Sequence, residues 1–187
     1  MKIPEYFKKK ANISVEAEKI FQLAFVREEF PKGQFLFKQD EICRDIYFIE
    51  QGFARIYYVS ESGREITAWF FPENSFVTAI DSYYYNEPSS ANCELTERAI
   101  VYSISYADFE NLLNNNNEFG KLGFHVIHDL ARQMTEFINN MKFQTAEDRY
   151  NALVTKNPTI FQRVSLGHIA SYLGITQPTL SRIRGGK

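Results

Sequence analysis

Hydrophobic and polar positions alternate along the first half of the chain, from about Val26 to Ser103. The alternating segments are short, rich in aromatic or β-branched residues and separated by turn residues, which predicts β-strands. The segments are EEF, QFLFK, DIYFIE, FARIYYV, EITAWFF, SANCEL and AIVYSI. Gly63, in the turn SESGRE, predicts a hairpin between two of them. Short strands at this spacing indicate a closed or sandwiched antiparallel β unit.

The pattern changes to a helical period on either side of this β unit. Ser14 precedes an apolar-striped run and predicts an N-capped helix, as Ser105 does at the start of SYADFENLL. Four consecutive asparagines at positions 114–117 predict a loop. Another helix is predicted after Thr145, with acidic residues in its first turn.

A long helical pattern runs from about Glu118 to Phe143. Its apolar residues recur at alternating intervals of three and four, which keeps one seam of a helix facing a partner helix. Packing on its own domain is the alternative, but about 25 residues is long for that role. We favour pairing with a second copy of the chain. The predicted seam consists of Ile127, Leu130, Met134, Phe137 and Met141.

The C-terminal stretch SLGHIASYLGITQPTLSRIR predicts two short helices around a tight turn. Ser165 and Thr176 can cap them, and Gly174 can adopt the left-handed conformation that ends the first helix. Pro178 is tolerated in a first turn, where a backbone N–H has no intrahelical acceptor. Leu180 is expected to face inward. The pattern is that of a helix-turn-helix with a polar second face.

Such a pair can place one helix in the major groove of DNA while the other helix braces it. Outward Gln and Arg side chains can contact base edges, and hydroxyl groups can contact phosphates. A helix pair that only packs, with its arginines in water, is the alternative, but the combined pattern favours DNA binding. The predicted contact residues are Ser165, Thr176, Gln177, Pro178, Thr179, Ser181, Arg182 and Arg184.

The charge distribution agrees with DNA binding by the C-terminal part. The formal net charge is −2, but from Lys156 onward the chain has five basic residues and no acidic one, so the preceding part carries −7. A basic tail on an acidic body is typical of a polyanion-binding unit joined to another unit.

Composition is that of an ordinary globular protein, with 44% hydrophobic and 24% charged residues. The sequence has neither a membrane-length apolar run nor a secretory h-region at its N-terminus, so we expect a cytoplasmic protein without membrane contact. Cys43 and Cys93 are too few for a disulfide scaffold or a zinc cluster and are expected to be buried thiols.

From about Phe30 onward the sequence resembles the Crp–Fnr regulators. The segment IYFIEQGFARIYYVSESGREITAWFFPENSF is similar to the family's β-roll, SISYADFENLL to the element that closes it, and the C-terminal helix pair to its helix-turn-helix. The resemblance implies an α+β fold: an antiparallel, jelly-roll-like sensor with an N-terminal helix over 1–117, a long dimerisation helix over 118–144 and a helix-turn-helix over 145–187. The sequence ends soon after this pair, so we expect the C-terminal β wing of many relatives to be absent or much reduced.

The resemblance also implies function. It indicates a homodimeric transcription regulator that binds double-stranded DNA, with RNA polymerase as a further candidate partner. By position, Gln177, Pro178 and Arg182 fall where the family's base-reading residues lie. Pro178 has no side-chain hydrogen-bonding group, so direct readout at that position is not expected.

The family's nucleotide pocket is altered in this sequence. Its Gly-Glu pair corresponds to Thr78-Ala79, and its Arg-Ser/Thr-Ala to Ser89-Ser90-Ala91. The ribose-binding carboxylate and the phosphate-binding guanidinium are both missing, and a buried phosphate without a cation would be poorly compensated. The cysteine set of the iron–sulfur oxygen sensors is also missing. We therefore expect no response to cyclic AMP and no other cofactor.

Other features carry weaker predictions. Tyr83–Tyr85 could stack on a ligand, but filling the space of the lost nucleotide site is the favoured interpretation. His125 and His128 have a metal-compatible spacing, but without a third ligand an incidental pair is expected. A metalloenzyme of the cupin type is disfavoured because the strand region has no histidine. A ligand-sensing or protein-binding β-roll without DNA-binding activity stays open as the alternative function.

Overall fold

The computed structural model describes Glu5 and residues 14–186; most of the stretch assessed for a secretory signal lies outside these residues, as does Lys187. The strands of the described chain are β1 Val26–Phe30, β2 Phe35–Phe37, β3 Asp45–Gln51, β4 Ala54–Val59, β5 Glu65–Phe71, β6 Phe76–Val77, β7 Asn92–Leu95 and β8 Ala99–Ser105. The helices are α1 Val15–Ala24, α2 Ile80–Tyr85, α3 Tyr106–Asn115, α4 Asn117–Phe143, α5 Ala146–Lys156, α6 Ile160–Arg163, α7 Leu166–Tyr172 and α8 Gln177–Arg184. The predicted α+β class is confirmed.

The strands form two antiparallel sheets that pack face to face. The first sheet has the order β1-β8-β3-β6, and the second has the order β2-β7-β4-β5. Their facing sides enclose an apolar core that includes Ile49, Leu95 and Val101. Cys43 and Cys93 lie in this core as free, buried thiols, as predicted, and burial raises the pKa of Cys93. Strand β6 was not predicted, because two residues are too few for alternation to be visible.

The outer face of the first sheet is covered by α1, α3 and the start of α4. Phe21 of α1 and Phe119 of α4 join Phe48 and Ile104 of the sheet in one buried cluster. The predicted cap of α1 is confirmed, since the Ser14 hydroxyl accepts a hydrogen bond from the backbone N–H three residues later. These contacts anchor the long helix to the sandwich at its N-terminal end.

The predicted asparagine loop is wrong. Helix α3 ends at Asn115 and α4 begins at Asn117, so one residue separates the two helices. The side-chain oxygen of Asn116 accepts a hydrogen bond from the N–H of Glu118 at 2.9 Å and caps α4. Asparagine is a favoured cap as well as a turn former, and the sequence pattern did not distinguish the two roles.

The outer face of the second sheet is covered by the C-terminal helices. Phe53, which directly precedes β4, and Phe70 of β5 lie in the same buried cluster as Ile160, Ile169 and Leu180 of the helices. Within the described part of the chain, no helix has the length and apolar character needed to cross a membrane.

Candidate nucleic-acid interface

Helices α7 and α8 form the predicted helix-turn-helix. The hydroxyls of Ser165 and Thr176 each accept a hydrogen bond from the backbone N–H three residues later, at 3.2 and 3.3 Å. Gly174 has φ of +68°, and the N–H groups of Gly174 and Ile175 return to carbonyls of α7 at 3.1 and 3.0 Å. This is a Schellman ending, which fixes the angle at which the chain enters α8.

Helix α8 buries its apolar side and exposes its polar side. Leu180 is 1% exposed in the core between α8 and the sheet. The exposed residues of the helix are Gln177, Pro178, Ser181, Arg182 and Arg184. Thr179 is half-buried, and its hydroxyl lies 2.9 Å from that of Thr176. The predicted contact residues are therefore on or beside one accessible surface.

The two arginines of α8 are held differently. The guanidinium of Arg184 lies 4.3 Å from the centroid of the Phe161 ring, a cation–π contact that fixes it near the end of the helix. Arg182 donates only a long bond of 3.4 Å to the Thr179 hydroxyl, and no ion pair to it occurs among residues 14–186. Arg182 is thus the arginine that is free to reach an external acceptor.

Helix α7 is attached to the edge of the second sheet. The hydroxyl of Ser171 accepts a hydrogen bond from the N–H of Thr67 at 2.9 Å. A register shift in the pairing of β4 with β5 lies next to Thr67. An edge strand has unpaired backbone groups, and here the helix supplies one acceptor. The aromatic rings of Trp69, Phe137 and Tyr172 extend this contact to α4.

Arg163 of α6 links the helical part to the sheets through two carboxylates. Its guanidinium donates to Glu73 and Glu97, with ion-pair distances of 2.5 Å to each, and lies 4.7 Å from the ring centroid of Phe53. Burial alone would raise the pKa of Glu73, but hydrogen bonds from Arg163 and from the N–H of Gly52 lower it below its usual value. Sequence analysis missed this cluster, because the three charges are far apart in the chain.

Arg55 is a buried cation beneath α7. It pairs with Glu65 and Glu94 at 2.5 and 2.7 Å and donates to the Thr67 hydroxyl at 3.2 Å. It alternates along β4 with Ala54, which lies in the core between the sheets, so Arg55 faces away from that core. The cation therefore belongs to the contact between the sheet and α7 and not to the interior of the sandwich.

His168 of α7 lies over this cluster, with its Nε2 atom 3.8 Å from a Glu65 oxygen. Burial and the nearby Arg55 charge lower the pKa of His168 more than Glu94 and Glu65 raise it. The unfolded chain therefore binds a proton at His168 more readily than the folded chain does. The contribution of His168 to stability is present above about pH 6.5 and is lost as the pH falls through the pKa of the folded state.

Lowering the pH from about 6.5 to 5 should decrease the free energy of unfolding of the unaltered protein. We predict that this decrease is smaller in His168→Gln. Urea denaturation at several pH values measures this loss, with His125→Gln, an exposed imidazole of α4, as the control. An unchanged pH profile in His168→Gln would show that this imidazole does not contribute.

The exposed apolar seam of α4 differs from the predicted one. Ile127, Met134 and Met141 are exposed as the seam requires, but Leu130 and Phe137 are half-buried. The Phe137 ring contacts Trp69 and Tyr172 of the same chain, at centroid distances of 5.1 and 5.5 Å. The sequence analysis therefore combined residues from two neighbouring stripes of the helix, one of which faces the chain's own fold.

A continuous stripe of exposed residues runs along α4 and includes Ile127, Met134 and Met141 of the predicted seam. Phe124 and Ile138, which sequence analysis did not name, are exposed and complete it. The full stripe, at intervals of three and four, is Phe124, Ile127, Ala131, Met134, Ile138 and Met141. Applying the spacing of three and four residues from Phe124 onward would have identified this stripe in the sequence.

The positions that correspond to the nucleotide pocket are occupied by internal hydrogen bonds. The Ser89 hydroxyl donates to the Ala91 carbonyl at 2.8 Å, and the Ser90 hydroxyl donates to a carboxylate oxygen of Asp81 at 2.6 Å. Ala79 is buried. The hydroxyls of Thr78 and Tyr106 lie 2.9 Å apart, and burial raises the pKa of Tyr106, a residue that sequence analysis did not single out.

The prediction that Tyr83–Tyr85 fill a vacated space is wrong for two of the three residues. Tyr83 packs with its ring centroid 4.7 Å from that of Tyr106. Tyr84 and Tyr85 are 62% and 70% exposed, because α2 turns them toward solvent. Among the described residues, no group of three or more His, Cys, Asp or Glu side chains is placed to hold a metal ion.

Comparison with known proteins shows similarity over most of the chain. Residues 27–116 match the cyclic nucleotide-binding domain family. The chain is 25% identical to the fumarate and nitrate reduction regulatory protein of Vibrio cholerae, covering 91% of this chain and 72% of the relative. It is also 25% identical to the anaerobic regulatory protein of Haemophilus influenzae, covering 85% of this chain and 65% of the relative.

Solved structures share the fold at lower identity. The c-di-GMP responsive global regulator CLP of Xanthomonas campestris is 14% identical, with a TM-score of 0.72 and coverage of 92% of this chain and 91% of that chain. FixK2 from Bradyrhizobium japonicum is 16% identical, with a TM-score of 0.72 and coverage of 87% and 83%. The domain match and the two relatives support the resemblance of this sequence to the Crp/Fnr regulators, and the solved structures show the same fold.

Proposed function

We propose that this protein is a homodimeric, cytoplasmic transcription regulator that reads an inverted-repeat DNA operator and does not respond to cyclic AMP. The observation that carries the proposal is the exposed polar face of α8, on which Arg182 has no acidic partner in the described chain. The relatives named as regulatory proteins support transcription regulation as the role. RNA polymerase is a further proposed partner, suggested by the family relationship alone.

We propose a separate role for each part of the fold. The sandwich, with residues 1–117, is proposed as the sensor, residues 118–144 as the dimerisation helix and residues 145–187 as the DNA-binding unit. DNA contacts are proposed for the surface of α8 and the two helix caps already described. Helix α7 would support α8 from behind, as the bracing helix does in helix-turn-helix proteins.

Homodimerisation is proposed through the exposed stripe of α4 that begins at Phe124. An exposed stripe of apolar residues at heptad spacing favours association, because a second helix that covers the stripe removes it from water. Two copies related by a twofold axis would present their α8 helices to half-sites about 34 Å apart, so the operator should be an inverted repeat.

Lack of a cyclic AMP response is proposed from the chemistry of the altered pocket. Thr78, Ala79, Ser89, Ser90 and Ala91 supply no charge, and the hydroxyls of three of them are already hydrogen-bonded within the protein. A cyclic phosphate bound there would lose water without gaining a cation.

DNA binding is tested by fluorescence anisotropy over a range of salt concentrations. Two labelled duplexes are used: one of random sequence, and one with the operator that the protein selects from a random pool. We expect binding of the random duplex at low salt that weakens as salt rises. Absence of binding at low salt would contradict the proposal and favour a ligand-sensing or protein-binding β-roll.

Arg182→Ala should weaken operator binding by about 1–3 kcal/mol and relax the preference at one position of each half-site. Arg64→Ala removes an equal charge from the exposed β4–β5 turn, outside the helix-turn-helix, and serves as the matched control. An unchanged sequence preference in Arg182→Ala would contradict its assignment as a base-reading residue.

A further inference from the structure

Gly167, in the first turn of α7, has a close relationship with Gln177 at the start of α8. A Cβ atom at position 167 would lie 2.6 Å from Nε2 of Gln177, a separation that real Cβ atoms essentially never show. The end of the Gln177 side chain therefore lies in the space that any other residue at position 167 would occupy. The contact joins the helix proposed to brace to the helix proposed to read DNA.

The backbone does not require glycine at this position. Gly167 lies within α7 and lacks the positive φ seen at Gly174. In a helix, glycine is less favourable than alanine by about 1 kcal/mol. The absence of a Cβ atom at position 167 therefore leaves space for the Gln177 side chain, and the backbone conformation of the turn does not depend on it.

The end of the Gln177 side chain lies against Gly167 but makes no hydrogen bond there. The side chain is exposed on the polar face of α8, and its amide has no hydrogen-bond partner among the described residues. A glutamine amide offers one donor and one acceptor in a plane, which match N7 and the N6 amino group of adenine in the major groove. Packing of the amide end against Gly167 restricts the orientations of the side chain, which reduces the entropy lost when such a contact forms.

We propose that Gly167 is a specificity-determining residue, which positions Gln177 to read an adenine in each half-site. The proposal rests on the proposed DNA-binding function of α8. Gly167 acts through Gln177 and makes no base contact itself. Alanine at position 167 would displace the flexible end of Gln177 without disturbing the helix backbone.

The test is selection of bound duplexes from a random pool by the unaltered protein, Gly167→Ala, Gln177→Ala and the double variant. Gly167→Ala should lose adenine preference at one position of each half-site and bind the selected operator between about fivefold and a hundredfold more weakly. In the Gln177→Ala background, Gly167→Ala should have no further effect, because the residue through which it acts is gone.

Gly185→Ala is the matched control, since a Cβ at position 185 would meet its nearest neighbour at an ordinary 3.5 Å. It should leave motif and affinity unchanged, and thermal unfolding of Gly167→Ala should show an unchanged or higher Tm. An unaltered motif in Gly167→Ala, or effects of the two substitutions that add, would overturn the role of Gly167. If the unaltered protein enriches no sequence, the proposed function itself fails, and this role fails with it.

Discussion

Replacing Met134 and Ile138 together by aspartate is expected to convert the protein from a dimer into a monomer. These side chains are 47% and 51% exposed in the single chain, so the substitutions remove less of its own packing than changes at the half-buried Leu130 or Phe137 would. In a dimer, the two substitutions would place four carboxylates in an apolar interface. Removing each of these ions from water costs several kcal/mol of binding free energy. The dimer dissociation constant should rise by at least about a thousandfold, and operator binding should fall with it.

Sedimentation velocity measures this change directly. The control is His125→Asp with Asn139→Asp, which places two carboxylates at exposed positions of α4 that are not part of the stripe. This control should remain dimeric. Phe137→Asp should act differently and lower the free energy of unfolding, because Phe137 packs against Trp69 and Tyr172 of its own chain. A Met134/Ile138 variant that still sediments as a dimer would show that the seam lies elsewhere.

Replacing Arg163 by methionine is expected to destabilise the attachment of the C-terminal helices to the sheets. The Arg163 side chain is 17% exposed and pairs with both Glu73 and Glu97, so its replacement leaves two partly buried carboxylates close to each other. These carboxylates are about one-third exposed, and solvent screening reduces the penalty below that of a fully buried pair. We expect a loss of about 1–3 kcal/mol in the free energy of unfolding.

Urea denaturation tests this prediction, with Arg98→Met as the matched control. Arg98 pairs with Glu29 in an exposed ion pair, which should contribute about 0–1 kcal/mol. Adding Glu73→Gln and Glu97→Gln to Arg163→Met should recover part of the lost stability, because the repulsion is removed. Equal losses for Arg163→Met and Arg98→Met would show that the buried cluster is not a structural link.

Local signals in the sequence predicted the architecture well. Alternation predicted most of the sheet, and Ser165, Gly174 and Thr176 predicted the helix-turn-helix through their capping and turn chemistry. Such features depend on residues close together in the chain. Asn116 shows the limit of this reasoning, since an asparagine side chain can stabilise a loop or cap a helix, and here it caps α4.

Contacts between distant parts of the chain could not be predicted in this way. The cluster of Arg163, Glu73 and Glu97 and the contact of Gly167 with Gln177 exist only once the elements have packed. The exposed apolar stripe of α4 shares Ile127, Met134 and Met141 with the predicted seam, whereas Leu130 and Phe137 of that seam are half-buried. Which of two neighbouring stripes faces solvent depends on what covers the other, here Trp69 and Tyr172.

The attachments of the helix-turn-helix suggest how its orientation is set. Helix α7 is bonded to β5 through Ser171, and Arg163 ties the preceding helix to the loops of both sheets. Arg149 adds a third attachment, donating to the Leu173 carbonyl and to the carbonyl of Gln144 at the end of α4. A shift of β5 or of α4 would therefore move the exposed polar face of α8.

Selection of DNA from a random pool by the purified, unaltered protein tests the proposal most directly. If two α8 helices read the major groove from one dimer, the enriched sequences will form an inverted repeat with half-site centres one helical turn, about 34 Å, apart or a multiple of it. Enrichment of no sequence, or of a motif without twofold symmetry, would contradict the proposed dimeric reading of DNA.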